Sequence, residues 1–402
     1  MENLIVGVTE QKINISKFGI LLFLFGMIIL ENGSATMKVV KILVFWLAVI
    51  VAVRRHYIAK STYIVWLSLY SAYACMTTLW AVDNKTAAAM SQTVVLNLLC
   101  IWAYVQFVNK KDQYIKLSCK AMTVLPIIAF ITVVAEHGIG ALVSLRNLEG
   151  EQSSLHNAIG LHAAYAICLI IALRSENENY KYNAGSKLLI VMNLLVVALS
   201  GSRKAIVYLI IPIFVYCVLR SRNPAKLIWN TFLAISAVGI LYVVLMKVPT
   251  LYNMIGEGLQ TMIAGLKGNE SDASTSARVR ITSWGFEVFK ERPFLGHGLE
   301  NFKILHLYRF GQMYIADNNY IELLVDQGMV GLLLYYSFHV WLIKNFVSVI
   351  KKNKNNRFLI MLFGMEIATI VCDYGVVSYR SMYIQILICT MAIALQNVKQ
   401  RT

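Results

Sequence analysis

Apolar stretches long enough to cross a membrane as helices follow one another along almost the whole chain, and one long polar segment, residues 247–327, interrupts them. This pattern restricts the fold more than any motif does. Inside a bilayer every backbone N–H and C=O must be paired within the protein, which leaves helices or a closed barrel. A helical crossing takes about 20 mostly apolar residues. Barrel strands alternate with period two, and these runs do not. The charged fraction is 14%, well below the roughly 25% of soluble domains. The expected fold is an all-α polytopic membrane helix bundle of about twelve spans. They are expected near 17–31, 38–53, 61–81, 90–109, 118–136, 157–173, 187–200, 204–219, 228–246, 328–344, 357–373 and 378–396. Residues 1–402 then form a single membrane domain, with 247–327 a large helical loop between spans nine and ten.

Charge orients the bundle. A cytoplasmic N-terminus places 22 of the 37 basic residues inside, 8 in the long loop and 7 in short outer segments. Long loops weigh little in the positive-inside rule, so the short segments decide. Both termini are expected in the cytoplasm and the long loop outside. The net charge of +16 follows from this bias and requires no nucleic acid. Glu2 and Glu10 precede the first apolar run and no small-residue cleavage site follows it, so the first helix is read as its own insertion signal. The seven cysteines fall in or at the ends of apolar helices without metal-ligand spacing, and are expected as small buried residues. No internal repeat of the kind found in inverted-repeat transporters is visible.

Polar chemistry concentrates on the outer face. Ser200-Gly201-Ser202-Arg203-Lys204 forms a tight outer turn. Two cations there oppose the positive-inside bias, and an anionic ligand would compensate them, since guanidinium grips phosphate oxygens in pairs. Contact with lipid headgroups is the alternative. A helix is expected over 276–292, because Ile281, Trp284, Val288 and Phe289 recur at three- and four-residue steps before Pro293 and the Gly296-His297-Gly298 turn. It would lie on the membrane surface or pack over the bundle. Arg278 and Arg280 open it, against the helix dipole, unless an anion sits at its free N–H groups; otherwise they form a solvated basic face. Arg146, in the connection that ends at Asn157, adds a further outer cation, so that a pyrophosphate could be neutralised without a metal.

Asp317-Asn318-Asn319-Tyr320-Ile321-Glu322 supplies carboxylates and hydroxyl-binding groups. Asp317 and Glu322 are candidate bases, and Asn318 and Tyr320 candidate sugar contacts. Asp317 or Asn318 also suits a helix N-cap. His297 is a second candidate base or substrate contact. Asp373 and Arg380 flank the last outer turn, where an ion pair is expected. Glu366 falls inside span eleven, where a carboxylate is costly. No DxD, Walker A or Gly-x-Ser-x-Gly sequence occurs, so neither metal nor cofactor is expected.

These pieces, in this order, resemble the O-antigen polymerase/ligase superfamily of bacterial envelope glycosyltransferases. The matching segments are Arg146 with Asn157-Ala158-Ile159-Gly160, Ser200 to Arg203, Arg278 to Trp284 with Pro293 to Gly298, and Asp317 to Leu324 with Gly328 and Gly331. The resemblance implies a multipass plasma-membrane enzyme acting on oligosaccharide carried by undecaprenyl pyrophosphate. It also implies lipid contact, and a chain-length regulator and a flippase as partners. In ligases of the family a His in the last motif is taken to activate the acceptor hydroxyl; Asp317 stands at that place here, which fits the polymerases better. The reading is inverting, metal-independent polymerisation of repeat units. Arg203, Arg278 and Arg280 would stabilise the leaving pyrophosphate, Asp317 would act on the acceptor, and Trp284 and Tyr320 would stack on sugars. A ligase acting on lipid A core or protein, and a lipid-glycan flippase, are the alternatives.

Overall fold

The computed structural model describes residues 15–29, 35–109, 111–138, 151–175, 184–200, 202–220, 273–353 and 356–401, with scattered positions between 225 and 260. The described chain is helical. In order the helices are α1 (Ile15–Ile29), α2 (Ala35–Arg55), α3 (Thr62–Met76), α4 (Asn84–Val108), α5 (Asp112–His137), α6 (Glu151–Ser175), α7 (Ala184–Ser200) and α8 (Arg203–Arg220). After residue 272 follow α9 (Ala273–Glu291), α10 (Phe302–Phe310), α11 (Asn319–Lys352), α12 (Arg357–Cys372) and α13 (Met382–Arg401). Five helical segments are long and apolar enough to cross a membrane: 84–108, 112–135, 157–174, 319–352 and 382–400. Helices also occupy the other expected segments, except 228–246, which lies outside the described residues but for scattered positions.

α13 is the central post. It packs on α1, α3, α4, α5, α11 and α12, and 83% of its most apolar stretch is buried. Helices on the periphery keep apolar side chains outward, such as Leu43, Trp46 and Val53 on α2 and Val65 and Leu69 on α3, as a surface facing hydrocarbon requires. All seven cysteines are free thiols, five of them buried.

Two features place the outer segment. The first is a tight approach at the start of α6. Gly160 lies so close to Ser200 and Ser202 that a Cβ there would overlap the Ser200 hydroxyl, and Ser202 Oγ donates to the Asn157 carbonyl at 3.4 Å. This contact seats the α7–α8 turn, and with it Arg203, against α6.

The second is a break in α11. The expected tenth span begins near 328, but the helix starts at Asn319 and kinks at Gly328, whose φ of 67° and ψ of −169° are non-helical. A broken helix frees backbone groups that need new partners. The segment between α9 and α10 supplies them. His297 N–H donates to the Val325 carbonyl (2.8 Å), Gly298 N–H to the Asp326 carbonyl (2.8 Å), and Met329 N–H to the Pro293 carbonyl (2.8 Å). The buried Asp326 carboxylate accepts from the N–H groups of Glu300 (2.8 Å) and Phe302 (2.7 Å). α9 packs on α11 around a small second core of Ile281, Val288, Phe302, Ala316, Ile321 and Val325. Of the two placements expected for this amphipathic helix, it takes the one over the bundle.

Gly328 sits where only glycine is comfortable, and a side chain there would meet the Phe294 carbonyl. Gly328→Ala is expected to cost at least about 1–3 kcal/mol from backbone strain alone. Gly311→Ala, at a left-handed helix end with φ 74° and open space, should cost about 1 kcal/mol. Thermal unfolding of the detergent-solubilised variants measures both; equal losses would count against the docked break as a structural keystone.

Candidate functional site

One end of the bundle gathers residues from the α7–α8 turn, the start of α9, the α10–α11 turn and the α12–α13 turn. Asp317 lies at their meeting point. Its carboxylate is 3.3 Å from Arg278 Nη2 and 3.6 Å from Lys204 Nζ. Arg203 precedes Lys204 at the head of α8 and is half-buried. Asp317 stays partly open to solvent, at 29% of its side-chain surface. Asp317 thus faces two cations from separate parts of the chain, Lys204 and Arg278.

The backbone explains why Asp317 is available. It adopts φ 51°, the left-handed region, which Asp tolerates better than most residues. Asn318 then takes extended angles and caps α11, its Oδ1 accepting from Tyr320 N–H (3.0 Å) and Ile321 N–H (3.3 Å). Of the two residues suited to the N-cap, Asn318 holds it, and Asp317 is turned toward the cations.

The rest of the motif anchors α11. Asn319 Nδ2 donates to Tyr336 Oη (3.0 Å), and its Oδ1 accepts from Tyr379 N–H (3.2 Å). Tyr320 donates from its hydroxyl to the Ile370 carbonyl (2.7 Å), and its ring stacks on Tyr336 at 4.9 Å. Glu322, buried, pairs with Arg380 Nη2. Arg380 Nη1 also grips both oxygens of Glu300, at 2.7 and 2.6 Å. The expected Asp373–Arg380 pair is therefore not formed. Asp373 instead accepts from the Tyr336 hydroxyl at 2.7 Å, because Glu300, carried in by the docked segment, reaches the guanidinium first.

The remaining candidates separate. His297 is buried and lends Nε2–H to the Val288 carbonyl at 3.1 Å; burial holds its imidazole below the ordinary value. Trp284 packs edge-on against Phe302, His306 and Phe310 at 5.2–5.4 Å. Arg280 is exposed on α9. Asn157 offers its carbonyl to Ser202. Arg146 lies outside the described residues. Glu366 is fully buried, with Oε1 2.6 Å from His339 Nδ1. Sequence reasoning missed Glu300, although its turn stood out, and it missed Asp326. The spacing of Glu322 and Asp326, one helical turn apart, was the available signal.

The family model described as O-antigen ligase matches residues 188–336. That stretch runs from α7 into α11 and contains Arg203, Lys204, Arg278 and Asp317. The match supports the resemblance to the O-antigen polymerase/ligase superfamily and, with it, glycosyltransferase-like chemistry in general. No curated protein matches the chain.

Removing Arg380 would strand Glu322, 2% exposed, and leave Glu300, 9% exposed, with Lys303 as its remaining cation. Arg380→Ala is expected to destabilise the protein by about 3–5 kcal/mol, read as a fall in thermal midpoint. An unchanged midpoint would remove the ion cluster from the account. The same cluster sets an acid dependence. Burial alone would raise the Glu300 carboxyl, but Arg380 and Lys303 outweigh it and hold the carboxyl below the usual range. A depressed folded value means stabilisation that is present above the ordinary value of 4.5 and is lost as pH falls through the folded one. Between about pH 6 and pH 3, the wild type should lose more thermal stability than Glu300→Gln; parallel losses would refute this assignment.

Proposed function

We propose that the protein joins glycan repeat units carried on undecaprenyl pyrophosphate into longer polysaccharide at the outer face of the plasma membrane. The observation that carries this reading is the Lys204–Asp317–Arg278 cluster, one carboxylate held between two cations from separate parts of the chain. The match to the O-antigen ligase family supports it.

In the reaction, an acceptor hydroxyl oxygen on one glycan bonds to the anomeric carbon of another. It approaches from the face opposite the leaving group, so configuration inverts. The bond from that carbon to the pyrophosphate oxygen breaks, and the lipid pyrophosphate leaves with the electron pair. Asp317 takes the hydroxyl proton. Arg203, Lys204 and Arg278 receive the negative charge that grows on the leaving group, the electrostatic contribution that usually dominates such catalysis. The pairing orders these events. A pyrophosphate carries more charge than one carboxylate, so its arrival draws Lys204 and Arg278 away from Asp317. The base is thereby released when donor is bound. Both substrates are membrane-anchored, so they enter sideways from the lipid.

The second reading is a ligase that passes glycan from the same carrier to lipid A core or protein; the matched family model is described as O-antigen ligase. Asp317, standing where the resemblance implies a ligase His, favours the polymerase.

Purified protein incubated with a defined pyrophosphate-linked repeat should yield a ladder of products on the carrier. Arg203→Ala, Arg278→Ala and Asp317→Asn should each lower the rate by about 100-fold or more, with thermal stability largely kept. Normal ladders from both arginine variants would overturn the mechanism, and glycan on a different acceptor would select the ligase.

A further inference from the structure

One exposed feature has no part in the chemistry above. α10 ends at Gly311, and residues 311–316 run from there to Asp317. Along this path the aromatic rings form a ledge. Trp284 packs edge-on against Phe310 at 5.4 Å, His306 lies 4.7 Å from Phe310, and Tyr314 lies 5.9 Å from His306. Phe310 is 53% exposed and Tyr314 44%, whereas His306 behind them is 9% exposed. Rings backed by rings on one side and open on the other present a flat apolar face at small entropic cost.

Polar groups border this face. His306 Nδ1–H donates to the Gln312 carbonyl at 2.7 Å, since a carbonyl can only accept. The other ring nitrogen, Nε2, has no protein partner among the described residues. Arg280 is exposed one helical turn before Trp284, on the same side of α9. Flat rings edged by an imidazole nitrogen and a guanidinium match the two faces of a pyranose, whose C–H groups are apolar and whose hydroxyls are not.

We propose that the Phe310–Tyr314 ledge, with His306 Nε2 and Arg280 at its edges, is a binding subsite for sugar rings of the glycan. Resting on the reading of Asp317 given above, it holds the acceptor chain. Tyr314 is three residues from Asp317, at most about 11 Å of chain, so a sugar on Tyr314 sits one or two rings from the attacking hydroxyl. The ledge fixes where the acceptor lies, while Asp317 and the cations act on the bond.

The test uses the full chain in nanodiscs and, as probe, lipid-free oligosaccharide of two to four repeats cut by mild acid from the cell's own envelope polysaccharide. The oligosaccharide should bind. Phe310→Ala and Tyr314→Ala should each weaken binding about tenfold, and Tyr314→Phe should retain most of it. A Phe310→Cys variant should react with a water-soluble maleimide and be protected by the oligosaccharide. Full affinity in both alanine variants, or no protection, would overturn the subsite. So would absence of labelling, which would put the ledge in lipid. Binding at the ledge by a protein that forms no glycosidic bond would keep the subsite and discard the transferase reading.

Discussion

The break in α11 governs how the outer half of this protein is built. A helix interrupted at membrane depth leaves carbonyls and N–H groups that cost several kcal/mol each if unpaired in hydrocarbon. Here the segment from Pro293 to Phe302 lies against the break and completes it, through Val325, Asp326 and Met329. Asp326 reinforces the arrangement by taking two amide hydrogens with one carboxylate. The consequence reaches beyond the kink. The segment that repairs the helix also carries Glu300 to Arg380, and its flanking helices α9 and α10 share the second core with the first turns of α11. Arg278 at the head of α9 is thereby brought to Asp317. One backbone requirement positions both charge clusters.

Those clusters handle charge in opposite ways. Arg380 meets two carboxylates, Glu300 and Glu322, and Lys303 also pairs with Glu300, so the guanidinium is spent inside the protein. Lys204 and Arg278 share one half-open carboxylate, that of Asp317. Two cations on one half-open carboxylate suit exchange with an anionic ligand; a cation saturated with carboxylates suits a fixed scaffold. The two arginine settings differ in partner count, which is a property of the fold and not of the residue type.

That distinction marks where the sequence stops being informative. The helices were legible because apolar runs in lipid have few alternatives, and the helix over 276–292 was legible from its three- and four-residue spacing. The gathering of Asn157, Ser202 and Arg203 was legible as motif order, and Gly160 is the physical reason for it. Pairings across the chain were not. Arg380 reaches Glu300 over a separation of 80 residues and Arg278 reaches Asp317 over 39, and no local period encodes either. The kink was visible only as a glycine in an apolar run, because the groups that stabilise it belong to another segment. Trp284 illustrates the same limit: its spacing identified an inward face, but the rings it would meet on α10 follow from how that helix is docked.

The Asp317–Asn318 pair shows how backbone geometry divides labour between two chemically similar side chains. An N-cap must take extended angles so that its side-chain oxygen can reach back to the first free N–H groups, and Asn318 does so at φ −149°, ψ 112°. The residue before it then turns through the left-handed region, which costs on the order of 1 kcal/mol for a non-glycine and points its carboxylate away from the helix end. Had Asp317 capped α11, its charge would have been absorbed by the helix dipole and the two backbone donors. Because Asn318 serves the helix, the carboxylate at 317 retains its capacity for the cations of α8 and α9. The strain at Asp317 is thus offset by the cap on one side and the ion pairs on the other. The two ion pairs can be lost to a more highly charged ligand while the cap and the position of α11 remain, so the carboxylate can be uncovered without the site coming apart.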